Sequence, residues 1–381
     1  MVPTLKLDQD INPFGVDICV DYETPPRAWL DLDALPRLEP HLRGRPVLEV
    51  PDIVKRLCGI CPTPHHLAGV RALEDLLGIS TIPPTAMLTR LLLHHASVID
   101  TFSPRLLGTH RHLAIHARNT GKLLLRTAGC SGHFPDVAVV GGVRAHADST
   151  YRDAAEEAVE KLIAELEQAD IPDIPAPGWD GGVDLMLEPH PLGDSIRAGD
   201  ETLAIHQLPE VVRETYPGHA DCRPRIQLEG TWRLWRTGPA VRHGSAGVAA
   251  LEASCRAAKD LLARKELWSG ETRLSVDIDH HVTGVGVGLI DGPRGVLAHL
   301  YQANNGVLEH CQILTPTAQN AAWLADMLSS AIARYPKDQG DQTRLFTELE
   351  CAVRLADPCL PCTHAPAGMM DINIHDQSGR R

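Results

Sequence analysis

Apolar residues fall on one helical stripe from Thr63 onward, at Leu67, Val70, Leu73, Leu76 and Leu77. Thr63 can cap this helix, Pro64 suits its first turn, and Gly78 can end it. Pro83-Pro84 opens a second helical stretch through LTRLLLHHASVIDTF, and a third covers Thr109 to Arg126. Residues 151–168, YRDAAEEAVEKLIAELEQ, form a strongly amphipathic helix pattern. The first 55 residues carry short alternating runs such as VDICV and PVLEV, which predict strands and turns. AVVGGV (138–143) predicts strand and turn, and the irregular, proline-rich stretch of about 171–235 reads as partly β. Further on, VAALEASCRAAKDLLARKEL and TAQNAAWLADMLSSAIARY read as helices, and RLSVDIDHHVTGVGVGLIDGPRG alternates like a strand. With no internal repeat or low-complexity linker, the pattern predicts one mainly helical α+β domain over residues 1–381.

Composition narrows the function classes. Hydrophobic residues make up 43% of the chain, enough for a large core, and charged residues 22%, an ordinary globular balance. The formal net charge is -13, aromatics are only 4%, and there is no basic run, so nucleic acid is not an expected partner. No apolar run approaches the roughly 18 residues of a membrane span, and the N-terminus MVPTLKLDQDINPFG is not patterned as a secretory signal. Ten cysteines scattered through a long chain suit a reducing compartment, so a cytoplasmic location is expected.

Four of those cysteines form two C-x-x-C pairs, Cys58/Cys61 in RLCGICPTPHH and Cys359/Cys362 in DPCLPCTH. Zinc ribbons place their pairs about 15–20 residues apart. Pairs at opposite ends of a domain suit a site that the entire fold must assemble. Four thiolates would suit nickel, iron or zinc alike, so spacing leaves structural zinc and a redox metal both open. Cys19, Cys130, Cys222, Cys255, Cys311 and Cys351 have no motif context and read as packed residues.

The residues around the pairs are more specific. R-x-C-G-x-C-x-x-x-H (56–65) with D-P-C-x-x-C resembles the large subunit of nickel–iron hydrogenases, and RGRP (43–46) resembles the soluble cofactor-coupled class. GHFPDVAVVGGV (132–143), GPAVR (238–242), GPRG (292–295) and TPTAQN (315–320) follow the family's order across essentially the whole chain. The resemblance implies a long central helix bundle with small peripheral β-sheets. It also implies that Cys58, Cys61, Cys359 and Cys362 bind nickel, with Cys61 and Cys362 bridging to an iron that carries CO and cyanide. Arg294, Asp357 and His65 are then expected beside the centre, with His65 donating to a bridging sulfur and Arg294 pairing with Asp357. Pro316 and Thr317 are expected to contact the iron's ligands, and Glu39 and His364 to hold a magnesium-type ion. The implied reaction is H2 ⇌ 2 H⁺ + 2 e⁻.

No cysteine motif is left for an iron–sulfur cluster, and no G-x-G-x-x-G follows a strand. An iron–sulfur small subunit is therefore expected, with NAD(P)- or deazaflavin-reducing subunits and maturation proteins as further partners. The chain departs from the family in three places. The N-terminal R-I-E-G-H, whose glutamate moves protons, is replaced by DINPFG, and the amide of Asn12 does not titrate. His364 comes one position early after Cys362, and a tail, 365–381, follows it as a C-terminal extension. Two other functions compete: a slow H2 sensor, and a metal-free quinone-binding subunit like that of respiratory complex I.

Overall fold

The structure, a computed structural model, describes residues 12–33, 35, 39–337 and 340–379. Residues 1–11, and with them the start of DINPFG, lie outside the described residues.

The chain opens with strands β1 (Gly15–Asp21) and β2 (Arg27–Leu30) and short helices α1 (Glu39–Leu42) and α2 (Val50–Val54). Long helices follow: α3 (Pro62–Leu76), α4 (Pro84–Phe102) and α5 (Arg111–Thr127). After the hairpin β3 (Ala138–Val139) and β4 (Gly142–Val143) comes α6 (Arg152–Gln168). Next are β5 (Gly182–Glu188), β6 (Ser195–Ala198), β7 (Glu201–Ala204), α7 (Leu208–Val211), β8 (Val212–Glu214), β9 (Pro224–Leu228) and β10 (Thr231–Arg236). The remainder comprises α8 (Pro239–His243), α9 (Ala249–Leu262), β11 (Gly284–Gly292), β12 (Gly295–Asn304), β13 (Val307–Leu314), α10 (Pro316–Arg334), α11 (Gln342–Ala356) and β14 (Asp371–Asp376).

Helices α3 to α6 and α9 bury their apolar stripes against one another in a core that includes Leu67, Leu92, Leu124, Leu162 and Leu251. Small sheets surround them, ordered β14-β1-β2, β7-β6-β5-β10-β9-β8 and β11-β12-β13. This is the expected mainly helical α+β architecture.

Several boundaries differ from the sequence reading. Helix α3 starts at Pro62 with Cys61 as its cap residue, two residues earlier than Thr63 suggested. The strand read from Arg273 begins only at Gly284, because the preceding residues find no ladder beyond the bridge of Gly142 with Arg273. The stretch of about 171–235 holds a six-stranded sheet whose short strands are broken by turns that mask their alternation. Within the tail, β14 pairs in parallel with β1, from Gly15 opposite Asp371 to Val20 opposite Asp376.

One packing contact sets the frame of the site. The glycines of GVGVG in β11 let the backbone of α3 lie directly on the strand. A Cβ at Gly288 would meet the Ala68 carbonyl oxygen at 2.0 Å. Helix α3 begins at Cys61, and β11 leads into Arg294, so this contact fixes one relative to the other. The far end of α3 is tied down by Glu74, which accepts two bonds from Arg90 of α4 and one from the Gly141 N–H of the GG hairpin.

Candidate metal centre

Three of the four predicted thiols meet. Cys58 Sγ lies 2.9 Å from Cys61 Sγ and 3.0 Å from Cys359 Sγ, and the last two are 3.6 Å apart. They form the one such group of metal-ligating side chains among the described residues. Cys58 also accepts the Cys61 N–H at 3.3 Å. Hydrogen bonds from Cys359 and then Cys61 hold the Cys58 sulfur well below the usual thiol range, while Cys61 and Cys359 are pushed up. One thiolate is thus shared by two S–H donors. A divalent cation binding there would release their protons.

Cys362 stands apart from this group. It sits on the short turn Pro361–His364, packed into the apolar cluster with Ala356, Ala365 and Met370. Burial pushes its thiol up to about 11. The fourth predicted ligand is therefore present one turn beyond Cys359 but faces apolar neighbours.

Arg294 and Asp357 lie beside the thiols as expected. Asp357 ends α11 in the left-handed conformation, φ 45°, which turns the chain out of the helix into the second cysteine pair. Its carboxylate lies between two guanidiniums: Arg105 Nη2 donates to Oδ2 at 2.5 Å, and Arg294 Nε is 3.4 Å from Oδ1. Burial would raise the Asp357 pKa, but Arg105 and then Arg294 outweigh it and hold the carboxyl below its ordinary value. Burial likewise opposes the Arg294 charge, yet Asp357 and the three thiol sulfurs raise its pKa. Arg294 is a fixed cation here, which removes it as a base. Arg105 was not singled out in the sequence, since SPRLLG has no chemistry-bearing spacing.

Arg294 is 3% exposed, and its Nε and Nη1 have no hydrogen-bond partner. Its Nε still faces Asp357 Oδ1, but a buried Nη1 with nothing to bond beside three thiols implies an acceptor that the protein does not itself supply. Its Nη2 is occupied by Thr363 Oγ1 and His364 Nε2, each at 3.3 Å. This contact places His364 at the centre, whereas Glu39 lines a cavity that also touches Cys58 and Cys359. The donor set fits a soft metal carrying anionic ligands.

The motifs TPTAQN and GPAVR brace this arrangement. Thr315 caps α10 by accepting from the Ala318 N–H, Pro316 occupies its first turn, and the Thr317 hydroxyl accepts the Cys359 N–H at 2.8 Å. Thr317 is therefore bound to the cysteine's backbone and keeps its own proton to donate. Asn320 accepts the Thr237 N–H and donates to the Thr237 and Ala356 carbonyls, joining the ends of β10 and α11. Gly238 has φ 106°, and a Cβ there would meet the Arg294 carbonyl oxygen at 2.6 Å, so a side chain would push the arginine loop away.

His65 does not donate to a sulfur. Its Nδ1 lies 3.1 Å from His299 Nε2, and His299 Nδ1 is 2.7 Å from the Tyr301 hydroxyl. Burial lowers the His65 pKa to about 4 despite the nearby Cys58. His299 and Tyr301 escaped the sequence reading because they face inward from a strand with no motif around them. A cavity of about 150 Å³ touches Cys58, His65, Thr317 and Cys359 and reaches Glu39, Glu214 and the exposed His219.

The family described as nickel-dependent hydrogenase matches residues 37–102, which include Glu39, the first cysteine pair and helix α3. Over this segment the chain is similar to the nickel-dependent hydrogenases. It is 26% identical over 389 residues to the coenzyme F420 hydrogenase subunit alpha of Methanothermobacter thermautotrophicus, covering 90% of this chain and 87% of that protein. The sulfhydrogenase 2 subunit alpha of Pyrococcus furiosus is also 26% identical, over 372 residues, with 84% and 88% covered. Among solved structures, an NAD+-reducing NiFe-hydrogenase in the H2-reduced state superposes with a TM-score of 0.70 at 22% identity, covering 89% of this chain and 93% of that one. That likeness is one of fold, and it agrees with the hydrogenase architecture read from the helices and sheets. No described helix is long and apolar enough to cross a membrane.

Proposed function

We propose that the chain is the catalytic subunit of a hydrogenase that splits H2 reversibly into two protons and two electrons. The observation that carries this reading is the convergence of Cys58, Cys61 and Cys359 under the idle Nη1 of Arg294. A nickel–iron centre would supply the polarising cations and the redox couple for that reaction. Cys58, Cys61, Cys359 and Cys362 would hold it, Cys362 after turning out of its apolar contacts. Arg294 would donate to CO or cyanide ligands on the iron, and Asp357, clamped by Arg105, keeps that guanidinium in place. A magnesium-type ion held by Glu39 and His364 would require His364 to release Arg294.

Protons need an exit that does not use the missing N-terminal glutamate. Glu39 and Glu214 line the cavity that leaves the thiols, and this is the route we assign. Electrons would pass to an iron–sulfur small subunit, and from it to NAD(P)- or deazaflavin-reducing subunits in the cytoplasm. A slow H2 sensor would use the same thiols, and the turnover rate of the matured complex separates the two readings. Metal analysis and infrared spectroscopy of the matured complex test the reading. About one nickel and one iron per chain with bands of bound CO and cyanide is the expected result. Zinc alone, without those bands, refutes it.

A further inference from the structure

Behind the arginine loop lies a second cavity, of about 360 Å³, which the hydrogenase reaction does not use. Four histidines line it: His94 and His95 of α4, His190, and His243 of α8. Arg242, from GPAVR, lies among them. His94 is 3% exposed, and its Nδ1 has no hydrogen-bond partner. His190 Nδ1 accepts the Leu192 N–H at 3.2 Å, which leaves its other nitrogen as the N–H. His95 Nδ1 is 3.4 Å from Ser254 Oγ of α9.

The charge balance of the cavity is one-sided. Its single carboxylate is Asp291 at the end of β11, and Oδ2 is taken by Arg242 Nε and Nη2 at 2.9 and 2.5 Å. Arg242 Nη2 also donates to the Leu187 carbonyl. Alpha helix α9 contributes Ser254 and alanines to the wall but no charged group, and α4 adds Val98. His190 faces Asp194 and Arg71, and His243 faces Asp291 and Arg242, so the imidazoles that would take up a proton with no carboxylate beside them are His94 and His95. Burial first, and then neighbouring histidines and Arg242, keep His94 and His95 neutral at pH 7, His95 with a pKa near 4. His190 and His243 are lowered in the same direction, chiefly by burial.

We propose that this cavity binds a compact organic carboxylate. Imidazole N–H groups, with His94 Nδ1 the one now idle, would bond the carboxylate oxygens, and the alanine, valine and proline wall would cover the apolar body. The bound anion supplies the counter-charge that His94 and His95 lack, so binding draws in a proton. The inference is independent of the metal centre and stands or falls without it.

Calorimetric titration of the full chain with benzoate tests this, at pH about 6 and about 8, in two buffers of different ionisation enthalpy. Saturable binding with proton uptake is expected, weakening about tenfold per pH unit where one proton is taken up. His94→Ala should lose about tenfold or more in affinity. His190→Gln, which keeps the shape of the wall, should reduce the proton uptake even if His94→Ala fails to fold. The proposal is overturned if benzoate does not bind, if its affinity is the same at both pH values, or if both folded variants bind unchanged. Inorganic phosphate binding as tightly as benzoate would overturn the carboxylate assignment. Metal content is read separately, so a failure here leaves the hydrogenase reading intact.

Discussion

Replacing Gly288 by alanine should disturb the metal centre from a distance. The added Cβ would stand 2.0 Å from the Ala68 carbonyl oxygen and 2.3 Å from the Ala72 nitrogen. The closest ordinary C···O approach is about 3.3 Å, so helix α3 and strand β11 must part by roughly 1 Å. Overpacking of this kind costs about 1–3 kcal/mol. With an unfolding entropy of about 2.1 cal/mol/K per residue, that lowers Tm by about 1–4 °C for a chain of this length. The functional effect should be much larger than the thermal one. Cys61 opens α3 and Arg294 follows β11, so the same 1 Å separates the thiols from the guanidinium. A misplacement of that size in an active site costs about 100-fold in rate. The assay pairs calorimetry with H2-dependent dye reduction, using Gly178→Ala as the control, since nothing lies within 4 Å of a Cβ there. If the two variants match in Tm and rate, the helix–strand contact does not set the site.

Three further outcomes are expected. Arg105→Ala leaves the Asp357 carboxylate, 2% exposed, with one of its two cations, and should destabilise the protein by about 3–5 kcal/mol in chemical denaturation, with Arg105→Lys recovering part of it. His66 accepts the Ala138 N–H, and burial lowers its pKa to about 3, so the folded form refuses a proton that the unfolded form takes below pH about 6.5. Stability should therefore fall as pH drops from about 6.5 towards 3, and His66→Gln should flatten the denaturation midpoint's slope by one proton. Finally, mild oxidation of metal-free protein should join Cys58 to Cys61 or Cys359, found by peptide mass spectrometry, while Cys255, whose thiol is pushed up to about 12 by burial, stays reduced. Equal oxidation of Cys255 would contradict the thiolate assignment.

The helix bundle was legible because its apolar stripes repeat over many turns, as at Leu67 to Leu76 and across 151–168. The β-rich middle was not, because strands of three to seven residues interrupted by turns give too few alternations to read. Helix α11 was also passed over, although Asp341 caps it by accepting the Arg344 N–H. At the site, the motifs that carry Cys58, Cys61, Cys359, Arg294 and Asp357 come together in the fold. What the sequence could not show was which neighbour each one would choose. His65 turned to His299, Thr317 to the Cys359 backbone, and His364 to Arg294. Those choices depend on packing between segments 42 to 234 residues apart.

The parallel pairing of β14 with β1 also bears on the order of events during synthesis. Antiparallel neighbours such as β1 and β2 can join as soon as both have left the ribosome. The other edge of β1, from Gly15 to Val20, waits for residues 371–376. Cys58 and Cys359 meet across almost the same interval of chain. A nascent chain therefore carries an open strand edge and a lone C-x-x-C for most of its translation, about 20 to 70 seconds at ordinary elongation rates. Both are hazards in that interval, the edge for misassociation and the thiol pair for capturing whichever soft metal is free. This fold would gain from an assembly factor that shields Cys58 and Cys61 until translation is complete.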